Sequence, residues 1–442
     1  MNSSPTYLQP FLQKRVHFFV MLGVIATTVF SLYNLNSWFI MLLVFCRLLD
    51  GGPVRAIGAA FHSRYFIGYL ALFLIDVAGL AYTHNLHEGS HIVEKEATLV
   101  ALSFVLFAGP FTDSRGYGRL MTAYIGILLA ACLYCLAIAA RDYGSLPGKN
   151  ISVFFYHALS HPIGQNAVFF SVFMIFGLLF LLSHPLQTGS LPRRTRRLLQ
   201  VFLIVFFIAM IVLLSSKLLL IVLFLILISM ILRRYIARKN YKAIGGIGIV
   251  GLSLIIWLGF TDNPIKKRYR DLGEGNITMI RQDKFTPSTQ FNGAQLRLLQ
   301  WRFANQILRE HHAWLSGVSG GDSQDLLNQK YRDAQVDTGI PNTKQHGFLN
   351  YNFHNQYIET LVRSGLLGLA ILLYVCWLLV EMAVKWQTAE TSFTVLSLLL
   401  IFTVESFLTM QHGVFAFVFM PLLLFYSPKK GKAASPAPSA RP

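Results

Sequence analysis

Apolar runs long enough to cross about 30 Å of hydrocarbon recur along the whole sequence, and a bundle of membrane helices is the architecture that can bury them. Such runs fall near residues 16–33, 36–49, 65–83, 96–110, 119–140 and 166–183. Further runs fall near 243–260, 358–382, 392–409 and 413–427, and one stretch at 198–232 is too long for a single crossing. At about 1.5 Å per residue, that stretch would reach about 52 Å, so the chain must turn within it. Its polar break is Ser215-Ser216-Lys217, which divides it into spans near 198–214 and 218–232. The reading is an all-α polytopic membrane protein of about twelve transmembrane helices, with one large hydrophilic loop between spans 9 and 10.

Composition agrees. The chain is 54% hydrophobic and only 13% charged, too apolar for a soluble protein of 442 residues. A net charge of +18 would suggest nucleic acid in a soluble protein, but here much of it sits in short loops between apolar runs. Arg47, Arg55 and Arg64, Arg115 and Arg119, residues 193–197, and residues 233–242 all alternate to the side that carries Lys14 and Arg15. That places both termini in the cytoplasm and Lys217 at the outer face. The divisions follow: residues 1–260 hold spans 1–9, 261–357 form the large periplasmic loop, 358–428 hold spans 10–12, and 429–442 read as a disordered cytoplasmic tail rich in Ala, Pro and Ser. The first apolar run lacks a small-residue cleavage site and reads as a retained span. Cys46, Cys132, Cys135 and Cys376 all lie in or beside apolar runs and suggest neither a zinc site nor a disulfide.

Before the tenth span stands His354-Asn355, then nine residues, Gly365, two residues and Gly368. Separations of 11 and 14 residues return His354 and the two glycines to about one face of a continuous helix. A titratable ring is then held at the membrane surface above a seam that a neighbouring helix can approach. Read alone, the spacing also fits an interfacial histidine above a packing motif. Taken with the polytopic layout and the large loop before it, the pattern resembles the signature of the bacterial O-antigen ligase family, within the wider O-antigen ligase and polymerase superfamily.

Two further elements carry the resemblance. Residues 295–308 read as an amphipathic helix in which Arg297 lies one turn before Trp301, similar to a superfamily motif whose arginine is implicated in holding a lipid-linked donor. An Arg and a Trp four apart also form ordinary surface pairs. Ser216-Lys217 is similar to a serine and cation at the outer end of a helix, where the family more often has Arg. An ammonium is a point charge without the planar fork of a guanidinium, so bidentate phosphate recognition is not expected of Lys217.

The resemblance implies transfer of a polysaccharide from undecaprenyl pyrophosphate to the lipid A-core oligosaccharide, on the periplasmic face of the inner membrane. It implies inversion, with no cofactor and no metal. His354 is the candidate base, since a neutral imidazole with a reference pKa near 6.5 can take the proton of an acceptor hydroxyl. Arg297 and Lys217 would offset charge on the departing pyrophosphate, with Trp301 and Asn355 as further substrate contacts. Membrane lipids are expected partners and nucleic acid is not. A polysaccharide polymerase, a protein O-oligosaccharyltransferase and a lipid-linked sugar transporter remain alternatives. Asp76 and Glu405 lie deep in apolar runs, where a carboxylate is costly, and are given no catalytic role. His311 and His312 point to different faces, and Asp322 and Asp325 lack the spacing of a divalent-metal site.

Overall fold

The computed structural model describes residues 10–50, 52–109, 112–145, 150–189, 191–214, 216–237, 277–339 and 347–428. The expected ninth span at 243–260, the first part of the large loop and the tail at 429–442 lie outside the described residues. Among those described there is no strand. The helices are α1 (Pro10–Val29), α2 (Tyr33–Leu49), α3 (Pro53–Phe61), α4 (Arg64–Gly79), α5 (Leu86–Phe107), α6 (Ser114–Ser145), α7 (Tyr156–Ser160) and α8 (Ala167–Ser183). They continue with α9 (Arg193–Leu214), α10 (Lys217–Ala237), α11 (Gly293–Glu310), α12 (Gly320–Asp333), α13 (Gln356–Trp386), α14 (Ala389–Ile401) and α15 (Gln411–Leu423).

Among the described residues, α6, α9 and α13 are each long and apolar enough to cross a membrane. Two bent pairs qualify jointly: α3 with α4 at 91°, and Tyr156–Ile163 with α8 at 80°. By length and composition, three to five spans are therefore met, against the twelve expected from hydropathy. Five shorter apolar helices accompany them. The long run at 198–232 divides where the polar break requires, since α9 ends at Leu214 and α10 opens at Lys217.

Helices α8 and α15 are apolar all round, and both are buried along almost their entire length, as such helices must be. Around them, other helices turn large apolar side chains outward, among them Phe19, Trp38, Phe45, Phe202 and Trp377. An outward apolar belt over a buried apolar centre is what lipid, not water, permits.

The described part of the large loop is itself folded. Helix α11 covers the expected amphipathic segment and starts with a capping box, in which Asn292 and Gln295 each satisfy the other's backbone N–H. Leu299, Phe303 and Ile307 of α11 join Leu327 and Tyr331 of α12, together with Phe353 and Val362, in a second apolar core. The first turns of α13 therefore belong to the loop domain, and its remainder packs on α4, where Gly68 faces Val375.

Two expectations about helix continuity are corrected. His354 and Gly365 do not share a continuous helix: α13 starts after His354, which has φ +46, and breaks at Gly365, with φ +64 and ψ −164. Residues 314–319 of the loop supply the backbone partners missing at that break. Val318 and Ser319 N–H donate to the carbonyls of Val362 and Arg363 at 2.8 and 3.0 Å. Leu366 and Leu367 N–H donate to those of Trp314 and Leu315 at 2.8 and 3.3 Å. A Cβ on Gly365 would meet Leu315 O at 2.2 Å, and one on Gly317 would meet Arg363 O at 2.3 Å. Gly365 thus admits a loop, not the expected transmembrane helix, and Gly368 lies against Ser364 of its own helix.

The second correction is at 392–409. Helix α14 stops at Ile401, and residues 402–410 form an opening with one short turn at Phe407–Thr409 before α15 begins. Side chains at the start of α13 take up the exposed backbone. Asn355 Nδ2 donates to Thr403 O at 3.2 Å, and Leu408 N donates to Gln356 Oε1 at 2.7 Å. Gln356 N also donates to Phe402 O at 2.8 Å. Interrupted backbone inside a membrane protein needs such replacements.

Candidate active site

The start of α13, the opening at 402–406 and helix α11 converge on His354. Its backbone is held first: His354 N donates to Asn352 Oδ1 at 3.0 Å, and Trp301 Nε1 donates to Phe353 O at 3.1 Å. Asn355 caps α13 by accepting from Ile358 N at 3.1 Å while its amide reaches Thr403 O. Glu359 ties the same pieces together, with Oε2 accepting from Ser406 Oγ at 2.8 Å and from Phe353 N at 3.4 Å. A left-handed backbone at a non-glycine residue costs of order 1–3 kcal/mol and persists where its surroundings over-determine it, as they do at His354.

The His354 ring meets Glu405: Nδ1 lies 3.3 Å from Oε2. The other Glu405 oxygen is 3.7 Å from Arg297 Nη2, an ion pair without hydrogen-bond distance. Arg297 also donates from Nε to Val404 O at 3.2 Å and from Nη1 to Gly293 O at 2.9 Å. A guanidinium has five N–H groups, so donors remain on Nη1 and Nη2 for a ligand. His354, Glu405 and Arg297 are each partly accessible, with side-chain exposures of 22%, 11% and 29%. The Tyr351 ring lies beside the imidazole, 5.9 Å between centroids.

Four of the five residues expected from sequence are thus assembled in one place: His354, Arg297, Trp301 and Asn355. Trp301 and Asn355 spend polar groups on backbone that positions His354, and both serve as supports. Lys217 stands at the first position of α10, half-buried behind the buried Ser216. Helix α10 packs on α14, the helix that leads into Glu405. Among the described contacts, His354 and Arg297 share Glu405 as a partner, and none joins either residue to Lys217.

Glu405 is the residue that sequence reasoning passed over. The signal was present, because an ionisable group inside an apolar run is a functional candidate by default, but its partner lies 51 residues away across a helix break. Asp76 accepts from Ser364 Oγ at 2.6 Å. Beside it, the buried Arg363 guanidinium is 3.1 Å from Glu96 and 3.9 Å from Glu359.

Chemically, a carboxylate facing Nδ1 favours the tautomer with the proton on Nδ1 and leaves Nε2 as a lone-pair base. A partly free guanidinium beside it can meet an anion. A family model described as O-Antigen ligase matches residues 202–373, which covers α10, α11, α12 and the His354 to Gly368 segment. No curated protein matches the chain.

Proposed function

We propose, from the match of residues 202–373 to a family model described as O-Antigen ligase, that the chain is a membrane glycosyl-transfer enzyme of that superfamily and, within it, the ligase itself. In this reading it moves a polysaccharide from undecaprenyl pyrophosphate to the lipid A-core oligosaccharide. The observation that carries the reading is the His354 imidazole on Glu405, beside Arg297, at the mouth of a membrane helix.

The reaction is a single displacement. Glu405 holds the Nδ1–H of His354, and Nε2 takes the proton from an acceptor sugar hydroxyl as its oxygen attacks the anomeric carbon of the donor. The new C–O bond forms on the face opposite the pyrophosphate, whose own C–O bond breaks, so the configuration inverts. Negative charge grows on the departing pyrophosphate. Arg297 offsets it with the donors it retains, and Lys217 adds a point charge from α10. The proton stays on the imidazole until it passes to water. No energy source beyond the pyrophosphate linkage is required.

The topology in this proposal has twelve spans, cytoplasmic termini and a periplasmic loop domain. A cysteine near Gly320 should be labelled from the periplasm by a membrane-impermeant reagent and one near Thr195 should not; the reverse pattern would invert it. Ligase and polymerase differ in a deletion strain. Loss of the ligase leaves bare lipid A-core on a lipopolysaccharide gel while lipid-linked polymer accumulates. Core bearing single repeat units would instead make this chain a polymerase.

A further inference from the structure

On the far side of α12 from His354 lies an open pocket of about 870 Å³. One wall is the turn between α4 and α5 and the start of α5, with Tyr82, His84, Asn85 and His87, and the other is the loop domain, with His311, Val318, Asp325 and Leu326. We infer that this pocket holds an uncharged, polyhydroxylated glycan segment of one of the two substrates.

The walls are built to stay together. Asp322, near the start of α12, accepts from His84 N at 3.0 Å, from Asn85 N at 2.9 Å and from Thr83 Oγ1 at 3.2 Å. Burial opposes its charge, but the His84 backbone and side chain, the Asn85 N–H and the Thr83 hydroxyl outweigh burial and hold the carboxyl below its usual value. Gly321 allows the close approach, since a Cβ there would meet Asn85 O at 2.3 Å. Tyr82 OH donates to Ser316 O at 2.6 Å and fixes the loop that also satisfies the α13 break. The pocket is therefore a fixed seam between two domains, a usual place for a ligand site.

Its lining suits sugar better than phosphate. Asp325 gives one oxygen to Asn85 Nδ2 at 2.8 Å and keeps the other. The rings of His311 and of His87, the latter edge-on to His91 with centroids 4.7 Å apart, line the pocket, and each offers a donor and an acceptor when neutral. Leu86, Ala313, Val318 and Leu326 add apolar surface for the C–H faces of a pyranose. The free Asp325 oxygen puts negative charge on the wall and disfavours pyrophosphate there.

Helix α12 connects pocket and base. Its Gln324 and Tyr331 donate to Tyr351 O at 3.2 and 3.3 Å, and Asn328 pairs with Asn350 at 3.0 Å, while Asp322, Asp325 and Leu326 face the pocket. A chain whose reacting sugar sits at His354 can continue over this helix. The inference rests on the glycosyl-transfer reading above, but binding can be measured without turnover.

The experiment is saturation-transfer NMR on the detergent-solubilised full chain with two probes. One is the host's delipidated core oligosaccharide, and the other is the oligosaccharide released from its O-antigen. Leu326→Trp fills the pocket, and His87→Ala and Asp325→Ala remove exposed polar groups with little risk to folding. A signal lost in the variants for the core alone makes the pocket an acceptor site, and for the O-antigen alone a donor site. In transfer assays the half-saturation for that same substrate should rise about tenfold with kcat held, as expected for losing one hydrogen bond. Both signals surviving in all three variants, or no signal from either probe in the unmodified protein, would overturn the pocket assignment. Binding intact with transfer absent would instead overturn only the reaction.

Discussion

Helix α14, 13 residues long, carries one glutamate near its start and is followed by another past its end, and each glutamate meets a histidine. Near its start, Glu390 is held by three short contacts: Tyr117 OH donates to Oε1 at 2.7 Å, His184 Nε2 meets Oε2 at 2.8 Å, and Ser427 Oγ donates to Oε2 at 3.0 Å. Beyond its end, Glu405 has one contact on each oxygen, at 3.3 and 3.7 Å, and its side chain is 11% exposed against 3% for Glu390. Glu390 joins the first turn of α6, the residue after α8 and the chain after α15, so it pins the bundle. Glu405 sits in the break between α14 and α15 and stays partly accessible. Long, partly accessible contacts at a reactive group are common before substrate arrives. The same pair of residue types is thus a structural pin where three short contacts hold the carboxylate, and in the proposed function a poised base where only two long ones do.

The sharpest way to break this contrast is to change both glutamates to glutamine. Glu405→Gln should reduce the transfer rate more than about tenfold, because a misoriented tautomer disables the base, and should hardly change thermal stability. Glu390→Gln should do the opposite, costing about 1–3 kcal/mol of stability for a buried hydrogen-bond network while folded protein transfers at near the normal rate. Thermal scans and purified transfer on the two variants, side by side, read both effects. Equal losses of rate would erase the distinction.

Backbone geometry around the opening gives the next largest effect. Gly365→Ala combines a left-handed φ with contact at 2.2 Å to Leu315 O, so it should destabilise the loop domain by more than about 1 kcal/mol. Gly189→Ala, where an added methyl meets nothing within 4 Å, is the control. Protease sensitivity of the loop domain measures the difference, and an unchanged Gly365→Ala protein would mean that residues 314–319 do not hold the break.

The smallest effect is the Lys217→Arg exchange, which separates two kinds of cation. Lys217→Arg should keep substantial activity, and Arg297→Lys should lose more, because it sacrifices a fork that reaches Val404 O and Gly293 O and approaches Glu405. Lys217→Ala should lose about 10- to 150-fold in donor affinity or rate, the range for one charge-assisted hydrogen bond. Unchanged donor kinetics in Lys217→Ala would leave it an interfacial lysine at the start of α10.

Hydropathy made the membrane bundle legible because long apolar runs admit few other folds. The motif at His354 and the Arg297–Trp301 pair were legible as well, since each is local in sequence. The breaks were not. Periodicity at Gly365 and through 402–410 reads as continuous helix, because the partners that permit interruption come from residues 314–319 and from Asn355 and Gln356. Glu405 was visible as a costly carboxylate, yet its role depends on that interruption. Helix α5 likewise begins at Leu86, before the apolar run from 96, since its first turns carry the polar wall of the outer seam.

The central claim is that Glu405 acts through His354, and a double-mutant cycle on the purified transfer reaction tests it directly. His354→Ala alone should reduce transfer about 10²- to 10⁴-fold while the protein remains folded. In that background, Glu405→Gln should change the residual rate less than about twofold, because groups that act as a unit are not additive. If instead the two losses multiply, or His354→Ala transfers at the normal rate, the imidazole at 354 is not the base that Glu405 holds.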